Sequence, residues 1–346
     1  MRPTPNTSQP ALLRDALRAA LDRRRALIES GVTQAMRLFS GAADGIDGVF
    51  VDVYGPAAVL IVYEGRAPRA LEGDGVAAAA GDVLAALAPL GVRAVYFKPF
   101  AKDRSRLGGA LPAVVTDPVP LAGEPLPEAI AIREHAWQLE IRPYDGLSTG
   151  LFLDQRDNRR FVYDFAKARG GKGGRPTSVL NTFAYTCAFS VAAATGGAAA
   201  TSVDVSARYL DWGRRNFALN GLDAQQHRFA TMDTFEFFNY ARRKNLRYDL
   251  IVLDPPSYAA GNKRRGTRPF SSVADYARLV REAAALLHPG GTIFASTNTQ
   301  ELCRPGRLDR EIAKGLGRTP RWVDLPPVPI DFARDEDRFA ARAFRV

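Results

Sequence analysis

The sequence predicts an α/β protein in which a small α+β domain precedes a doubly wound, Rossmann-like domain. After Pro176, strand and helix patterns alternate five times, which is typical of a mostly parallel sheet with right-handed crossovers. Before Pro176, short β-like runs and two helical stretches are separated by glycine- and proline-containing turns. We therefore expect a tail and a basic helix over residues 1–36, the small domain over 37–125 and the doubly wound domain over 126–346.

The N-terminal part contains one long helical pattern and several short strand patterns. Leucines recur at helical spacing over 11–30 with arginines between them, and Gly31 marks the expected helix end. The Pro- and Gly-rich stretch 103–127 predicts a linker. The other predicted elements are strands over Val49–Val53, Val59–Tyr63 and Ala94–Pro99, a helix over 75–90, and a hairpin of Ala129–Arg133 and Ala136–Arg142.

The C-terminal part carries the alternating pattern. Its predicted strands are Ser178–Phe183, Ala200–Val205, His227–Thr231, Tyr248–Asp254 and Thr292–Thr297. The helices between them are Thr186–Ala194, Ala207–Leu219, Thr234–Lys244 and 273–288. Ligands of such sheets bind at the carboxyl ends of the strands, so the residues that follow each strand are the candidate site.

Composition narrows the class of protein. No apolar run reaches the ~18 residues of a membrane span, and two cysteines among 346 residues exclude a disulfide framework and fit a cytoplasmic protein. Three scattered histidines lack the spacing of metal ligands, so we expect no metal. The net charge of +10 favours RNA or DNA as a partner, although a basic enzyme without such a partner has the same charge.

The residues after the first two strands of this sheet argue against a dinucleotide and leave a ligand without phosphate open. The turn after Asn181 lacks the spaced glycines of GxGxxG and is poorly suited to a dinucleotide, whereas S-adenosylmethionine (SAM) stays open as a ligand. Asp204 ends the second strand, where an acid commonly accepts hydrogen bonds from ribose hydroxyls.

Acidic residues also follow the third and fourth strands. Asp233 can accept a hydrogen bond from an adenine amine, cap the next helix, or do both. The fourth strand ends in the sharpest motif of the chain, Asp254-Pro255-Pro256-Ser257-Tyr258. The prolines hold nearby carbonyls at the sheet edge, so a target amine can donate to them and to Asp254 while Tyr258 stacks on a base. The alternative for this motif is a plain turn.

Four segments resemble class I SAM-dependent methyltransferases, and more narrowly the bacterial large-subunit ribosomal RNA methyltransferase I and K group. The resemblance is strong over about 125–300 and looser over 37–62. The segments are Ser148-Thr149-Gly150-Leu151-Phe152-Leu153-Asp154-Gln155-Arg156-Asp157-Asn158-Arg159, Leu180-Asn181-Thr182-Phe183-Ala184-Tyr185-Thr186, Val203-Asp204-Val205-Ser206 with Asn216 and Asn220-Gly221, and Asp254-Pro255-Pro256-Ser257-Tyr258.

This resemblance implies SAM as the cofactor and assigns the site. Asp204 holds the ribose, Asp233 the adenine, and Asp254 and Ser257 face the target atom. Arg156 pairs with the carboxylate of SAM or forms a structural ion pair. The residues expected on the methionine side are Asp154, Gln155, Arg156, Asn181, Tyr185 and Thr186.

Departures from the family pattern bear on the chemistry. Cys187 and Ala188 stand where the family has glycines, and the segment Ala295–Asn298 lacks the Cys-Ser pair that members making 5-methylcytosine need. The Ser-Thr-Asn segment is closer to guanine N-methyltransferases, which need no covalent step. We expect Cys303 to be structural and Cys187 to be a packing residue.

The resemblance also bears on RNA capture. About 36 residues precede the middle-domain match, too few for the family's N-terminal PUA module, so we expect the module to be missing. The basic helix, the middle domain and a loop after the Pro-Pro motif then remain as RNA-binding elements. Lys263, Arg264, Arg265 and Arg268 of that loop are the candidates for phosphate contacts, unless the loop is merely solvated.

From this resemblance we expect a SAM-dependent methyltransferase that acts on a base of ribosomal RNA by direct, non-covalent transfer. The alternatives are a methyltransferase of a small molecule or protein, a dehydrogenase with an unusual nucleotide turn, and a non-catalytic RNA-binding protein on a decayed fold. The sequence leaves a homo-oligomer open, and it predicts no membrane partner.

Overall fold

The computed structural model describes residues 9–71, 73, 75–100, 111–170, 175–261, 268–334 and 338–346, with side chains from Leu13 onwards. The chain forms two compact units. The first comprises Met1–Asp154 with Pro329–Arg334, and the second comprises Gln155–Val328 with Asp335–Val346. None of the helices in the described ranges combines the length and the hydropathy that a membrane span requires.

The first unit is built on a five-stranded sheet of order β1-β2-β3-β4-β5, in which only β3 and β4 are parallel. Leucines of α1 and alanines and valines of α2 form one apolar core with the sheet. The elements of this unit are α1 (Gln9–Ser30), β1 (Ala35–Ser40), β2 (Val49–Tyr54), β3 (Ala57–Tyr63), α2 (Gly75–Leu87), β4 (Ala94–Phe100), β5 (Ala122–Gly123), β6 (Ile130–Glu134) and β7 (Trp137–Ile141).

Two features of this unit differ from the sequence-based expectation. The prediction of a linker over 103–127 is wrong for residues 122–123, because these residues form β5, which pairs with β4. Residues 103–110 of that stretch lie outside the described residues. Strand β1 was not predicted, since a single arginine and two small residues within it obscure the alternating pattern. Strands β6 and β7 form the predicted hairpin.

The arginines of α1 are engaged by carboxylates. Arg24 forms a buried, two-pronged ion pair with Asp44, and Arg14 lies 2.6 Å from Asp82. Arg18, Arg23 and Arg25 also have acidic partners. The predicted basic helix therefore offers an RNA much less unpaired charge than its sequence indicates.

The second unit contains a seven-stranded sheet of order β10-β9-β8-β11-β14-β16-β15. Its strands are β8 (Ser178–Thr182), β9 (Ala199–Asp204), β10 (Arg228–Thr231), β11 (Tyr248–Leu253), β14 (Leu287–Thr297), β15 (Arg321–Val323) and β16 (Ala340–Arg345), with a separate ladder of β12 (Tyr258–Ala259) and β13 (Phe270–Ser271). Its helices are α3 (Arg156–Arg169), α4 (Ala188–Thr195), α5 (Ala207–Leu219), α6 (Thr234–Arg243), α7 (Ser272–Ala284), α8 (Gln300–Cys303) and α9 (Arg307–Leu316).

This topology confirms the predicted doubly wound sheet. Strands β8, β9, β10, β11 and β14 are mutually parallel, and β16 is the one that runs antiparallel to β14. The strand order reverses between β8 and β11, where Asn181 pairs with Val252 and Thr182 with Leu253. Such a reversal opens a crevice at the carboxyl ends of the two strands, which is where this fold binds ligands.

The division between the units lies at Asp154/Gln155, later in the chain than the expected boundary at 125/126. The β6–β7 hairpin is counted with the first unit, whereas the sequence-based domain limits placed it in the second. The last two strands of the sheet order, β16 and the edge strand β15, were not predicted, because each carries arginines among its apolar residues. The limits of the domains as functional modules stay a prediction.

Candidate active site at the carboxyl edge of the second sheet

The loop that follows β8 is wound tightly without glycine. Phe183, Tyr185 and Cys187 all have positive φ angles of 53°, 49° and 64°. Non-glycine residues rarely adopt this conformation, and such strain clusters at functional sites. The alternating left-handed residues bend the chain sharply at the switch point and start α4 directly after Cys187.

Cys187 fits this loop because Gly213 of α5 leaves room for it. A Cβ added at Gly213 would overlap the Cys187 sulfur and lie 2.9 Å from the Cys187 Cβ. Cys187 is fully buried, and burial raises the pKa of its thiol to about 12. The structure thus confirms that Cys187 is a packing residue, which is accommodated by the absence of a side chain at Gly213 on the facing helix.

Asp204, at the carboxyl end of β9, is oriented by the backbone around it. Its Oδ2 accepts a hydrogen bond from the Tyr185 amide and its Oδ1 one from the Ser206 amide, both at 2.9 Å. Burial raises the pKa of this carboxyl, and the amide hydrogen bonds partly oppose that rise. The half-exposed carboxylate therefore stands at the loop and can accept from ligand hydroxyls.

Asn181 lies near the end of β8, just before this loop, and Thr186 belongs to the loop. Both are almost completely buried. The Asn181 amide donates to the Ser190 hydroxyl at 3.0 Å, and Asn216 donates to the Thr186 carbonyl at 2.8 Å. Their side-chain positions favour a role in shaping the turn, while Tyr185 is partly exposed and lies edge-on to Tyr209, with ring centroids 4.5 Å apart.

Asp233 caps α6. Its Oδ1 accepts from the amides of Phe235 at 2.9 Å and Glu236 at 3.3 Å. The helix-cap alternative is therefore present in the structure, and it leaves the other carboxylate oxygen outside these two bonds. The two interpretations of Asp233 remain compatible.

Asp254, directly after β11, is held by residues from two other elements. Ser296 at the end of β14 donates to Asp254 Oδ1 at 2.6 Å, and the Gln155 amide lies 3.4 Å from the same oxygen. Asn158 in turn donates to the Gln155 side-chain oxygen at 2.7 Å. A carboxylate with this much support keeps one orientation, which is what positioning a target amine requires.

The rest of the Pro-Pro motif is tied to the segment after β14. Ser257 donates to the Asn298 side chain at 3.0 Å and accepts from the Thr299 hydroxyl at 3.0 Å. Pro256 and Ser257 are exposed, and Tyr258 is 64% exposed at the start of the β12–β13 ladder. The tyrosine ring is thus open to a planar ligand.

The remaining predicted residues lie in different surroundings. Asp154 belongs to the first unit, where it interacts electrostatically with Arg37. Arg156 is 2% exposed, and its Nε lies 3.4 Å from Asp157, which favours the structural ion pair over contact with a ligand. Arg268 is exposed, whereas Lys263, Arg264 and Arg265 lie outside the described residues.

Sequence reasoning did not find Ser296, Gly213 or Asn158 as parts of this edge. Ser296 was noticed only as a substitute for a missing cysteine, although its place after a buried strand was a usable signal. Gly213 lies inside helix α5, where glycine lowers helix stability, and a glycine in such a position indicates a close packing contact. Asn158 lies three residues after Gln155, which is the spacing of neighbours on a helix face.

Cys187 is buried and Cys303 is partly exposed, and the described residues contain no group of three His, Cys, Asp or Glu side chains that could hold a metal ion. The Cys303 thiol donates to the Thr297 carbonyl at 3.5 Å, a contact that ties α8 to the end of β14. This geometry agrees with a structural role for Cys303.

Comparisons with known proteins agree with this geometry. A family model described as S-adenosylmethionine-dependent methyltransferase matches residues 116–323. A Bacillus subtilis protein described as a ribosomal RNA large subunit methyltransferase is 37% identical over 287 residues, which are 82% of this chain and 65% of that protein. Ribosomal RNA large subunit methyltransferase K of Neisseria meningitidis is 40% identical over 187 residues, 54% of this chain and 48% of that protein.

Two solved structures align with the whole chain. One described as a SAM-dependent methyltransferase from Streptococcus mutans has a TM-score of 0.77 and 30% identity, and it aligns with 100% of this chain and 83% of its own. A second, described as a methyltransferase complexed with SAH, has a TM-score of 0.80 at the same identity and coverage. This chain spans less than two thirds of the curated relatives it matches. The family model covers more than half of the chain, which therefore belongs to the S-adenosylmethionine-dependent methyltransferases.

Proposed function

We propose that this enzyme methylates a base nitrogen of large-subunit ribosomal RNA, in the cytoplasm, by direct transfer. The observation that carries the proposal is the Asp254 carboxylate, fixed by Ser296 and followed by an exposed Pro-Ser-Tyr segment at the switch point. The names of the relatives in Bacillus subtilis and Neisseria meningitidis support ribosomal RNA as the acceptor. The net charge of +10 favours the same class of partner.

The residues at the carboxyl edge fit SAM. A half-exposed Asp204 carboxylate, held by two backbone amides, suits ribose hydroxyls, and Asp233 stands after the next strand for the adenine amine. Gln155 and Tyr185 are the residues we assign to the methionine side. When bound, SAM supplies a methyl group on a cationic sulfur, and carboxylates at this edge suit a cationic ligand.

The acceptor is positioned by the motif after β11. The Asp254 carboxylate accepts a hydrogen bond from an amine of the target base, and the Pro255 carbonyl is a second acceptor, while neither proline brings a competing N–H donor. The Pro256 carbonyl already accepts from the Ser272 hydroxyl at 2.9 Å, which holds the motif in place. The exposed Tyr258 ring provides a surface on which an unpaired base can stack. Holding the reacting groups in line is worth on the order of 7–11 kcal/mol in favourable cases, so orientation alone can carry much of the catalysis.

The placement of both cysteines supports transfer to nitrogen rather than to carbon 5 of cytosine. The carbon route requires a thiolate that adds to the base first. Cys187 is fully buried, and burial raises the pKa of its thiol to about 12. The Cys303 thiol donates a hydrogen bond to the Thr297 carbonyl. A base nitrogen can expose a lone pair without covalent help, and Asp254 can direct that lone pair.

The test is methyl transfer from radiolabelled SAM to ribosomal RNA of a strain that lacks this gene, with the product nucleoside identified by mass spectrometry. We expect a methylated guanine or adenine, loss of label with Asp254→Ala, and full activity with Asp211→Ala, whose side chain is exposed on α5. A 5-methylcytosine would refute the direct mechanism. Absence of label in RNA from an enzyme that binds SAM would move the acceptor to a protein or a small molecule.

A further inference from the structure

We infer that the opposite edge of the seven-stranded sheet, where the parallel strands begin, is a second RNA contact surface that binds backbone phosphates. The surface consists of four exposed arginines at strand ends, here called the amino-edge arginines: Arg228, Arg247, Arg321 and Arg345. The inference rests on the proposed function, because it takes RNA as the methyl acceptor. It adds a surface remote from the site that holds the cofactor.

The topology places these four residues along one edge. Arg228 is the first residue of β10, Arg321 is the first of β15, and Arg247 immediately precedes β11. Arg345 is the last residue of β16, which runs the other way and so ends at this edge. The arginines extend from one edge strand to the other across six strand spacings, which is about 29 Å at about 4.8 Å each.

Two of these arginines face each other directly. Arg321 and Arg345 are cross-strand partners in the antiparallel β15–β16 ladder. Like charges in this arrangement destabilise a sheet. Among the described residues, the neighbouring Arg342 pairs with Asp309, but neither Arg321 nor Arg345 forms an ion pair within 4 Å. A phosphate between the two side chains would relieve their repulsion.

Stabilisation of a helix dipole does not account for the positions of these four arginines. Basic residues at helix C-termini, such as Arg242 and Arg243 of α6, stabilise the helix dipole and need no ligand. Strand ends have no comparable dipole. Asp249, two residues after Arg247, is already bound by Arg175 at 2.8 Å.

An exposed aromatic ring lies within the same edge. Trp322 follows Arg321 in β15 and is 46% exposed. One side of it is supported by Phe344, with ring centroids 6.0 Å apart and an edge-on angle of 83°. Because successive strand side chains point to opposite faces, the ring projects from the face opposite to Arg321 and Arg345. A base that reaches past the end of this strand can stack on the ring while the guanidinium groups of the other face hold phosphates.

The surface also restricts the kind of RNA that the enzyme prefers. The carboxylates of the candidate site follow the far ends of the same strands, and β11, with six residues, is about 20 Å long at about 3.3 Å per residue. One RNA can reach both edges only if it extends well beyond that length. The enzyme should therefore bind a large folded RNA more tightly than a short oligonucleotide that carries the same target base.

The experiment compares two fourfold variants of the full chain. R228Q/R247Q/R321Q/R345Q removes the amino-edge arginines. R66Q/R160Q/R214Q/R278Q removes the same charge from exposed arginines that each have a carboxylate partner. Dissociation constants for a large ribosomal RNA fragment and for an eight-nucleotide RNA are measured by filter binding from 50 to 200 mM salt.

If all four arginines contact phosphates, the slope of log affinity against log salt should fall by about 3.6, at about 0.9 per contact. The wild-type enzyme then loses about 150-fold more affinity than the variant between those two salt concentrations. The control variant should keep the wild-type slope, the affinity of both for SAM should stay unchanged, and the short RNA should show little difference.

Equal slopes for the two variants would overturn the inference. So would an unchanged RNA slope combined with loss of binding to phosphatidylglycerol vesicles, which would assign the surface to a lipid. Methyl transfer separates this result from the proposed function. Labelled RNA with an unaffected slope contradicts only the amino-edge surface, while a reduced slope without labelled RNA contradicts only the proposed reaction.

Discussion

The contact between Gly213 and Cys187 gives the sharpest prediction about stability. Gly213→Ala would place a Cβ against the Cys187 sulfur, 2.9 Å from the Cys187 Cβ, in fully buried surroundings. Overpacking of this kind costs about 1–3 kcal/mol. It outweighs the gain of about 0.5–1 kcal/mol that alanine brings to a helix interior. We therefore expect a net loss of stability and weaker SAM binding, because Cys187 ends the strained loop.

Two further variants isolate the cause. Gly81 lies in α2 with no atom within 4 Å of an added Cβ, so Gly81→Ala should stabilise the protein by about 0.5–1 kcal/mol. Cys187→Gly removes the obstructing side chain and suits the positive φ of 64° at that position. In that background, Gly213→Ala should become neutral or stabilising.

The assay is urea denaturation of the four members of the Gly213/Cys187 cycle, with the transitions of the two units fitted separately. Isothermal titration with SAM is the second readout. We expect a coupling free energy of about 1–3 kcal/mol between the two positions. A coupling below about 0.5 kcal/mol, with Gly213→Ala equally harmful in both backgrounds, would refute the steric explanation.

Three other predictions concern the carboxylates. Ser296→Ala should lower kcat for methyl transfer while SAM affinity stays constant, and Ser296→Thr should restore part of it; equal loss of SAM binding would contradict a role through Asp254. Burial raises the pKa of Asp204, so its charged form opposes folding, and Asp204→Asn should stabilise the protein above that pKa while weakening SAM binding in titration calorimetry. Burial raises the pKa of Asp249, but hydrogen bonds from Arg175 and Ser178 outweigh it and lower the pKa. The stability that this acid contributes is therefore present at neutral pH and lost as the pH falls, and Asp249→Asn should flatten the acid limb of a thermal-denaturation series.

Much of the second unit could be predicted from local sequence. Alternating strand and helix patterns predicted the parallel strands, and right-handed crossovers leave few ways to arrange them. Once the strands are parallel, Asp204, Asp233 and Asp254 must lie along one edge of the sheet, because each stands at or just after the carboxyl end of a strand. Strands β15 and β16 could not be found in this way, since β15 has three residues and both carry arginines.

Only the tertiary structure decided which side chains are partners. Ser296 donates a hydrogen bond to Asp254, which is 42 positions away in the sequence. The arginines of α1 look like unpaired charges in the sequence, but acids such as Asp82, 68 positions away from Arg14, bind them. Gly213 and Cys187 likewise lie on different elements. Periodicity reports which face of an element is buried, whereas partnership depends on the packing of elements distant in sequence. The sequence by itself therefore determined the edge where the chemistry takes place, and the packing decided how its residues are held.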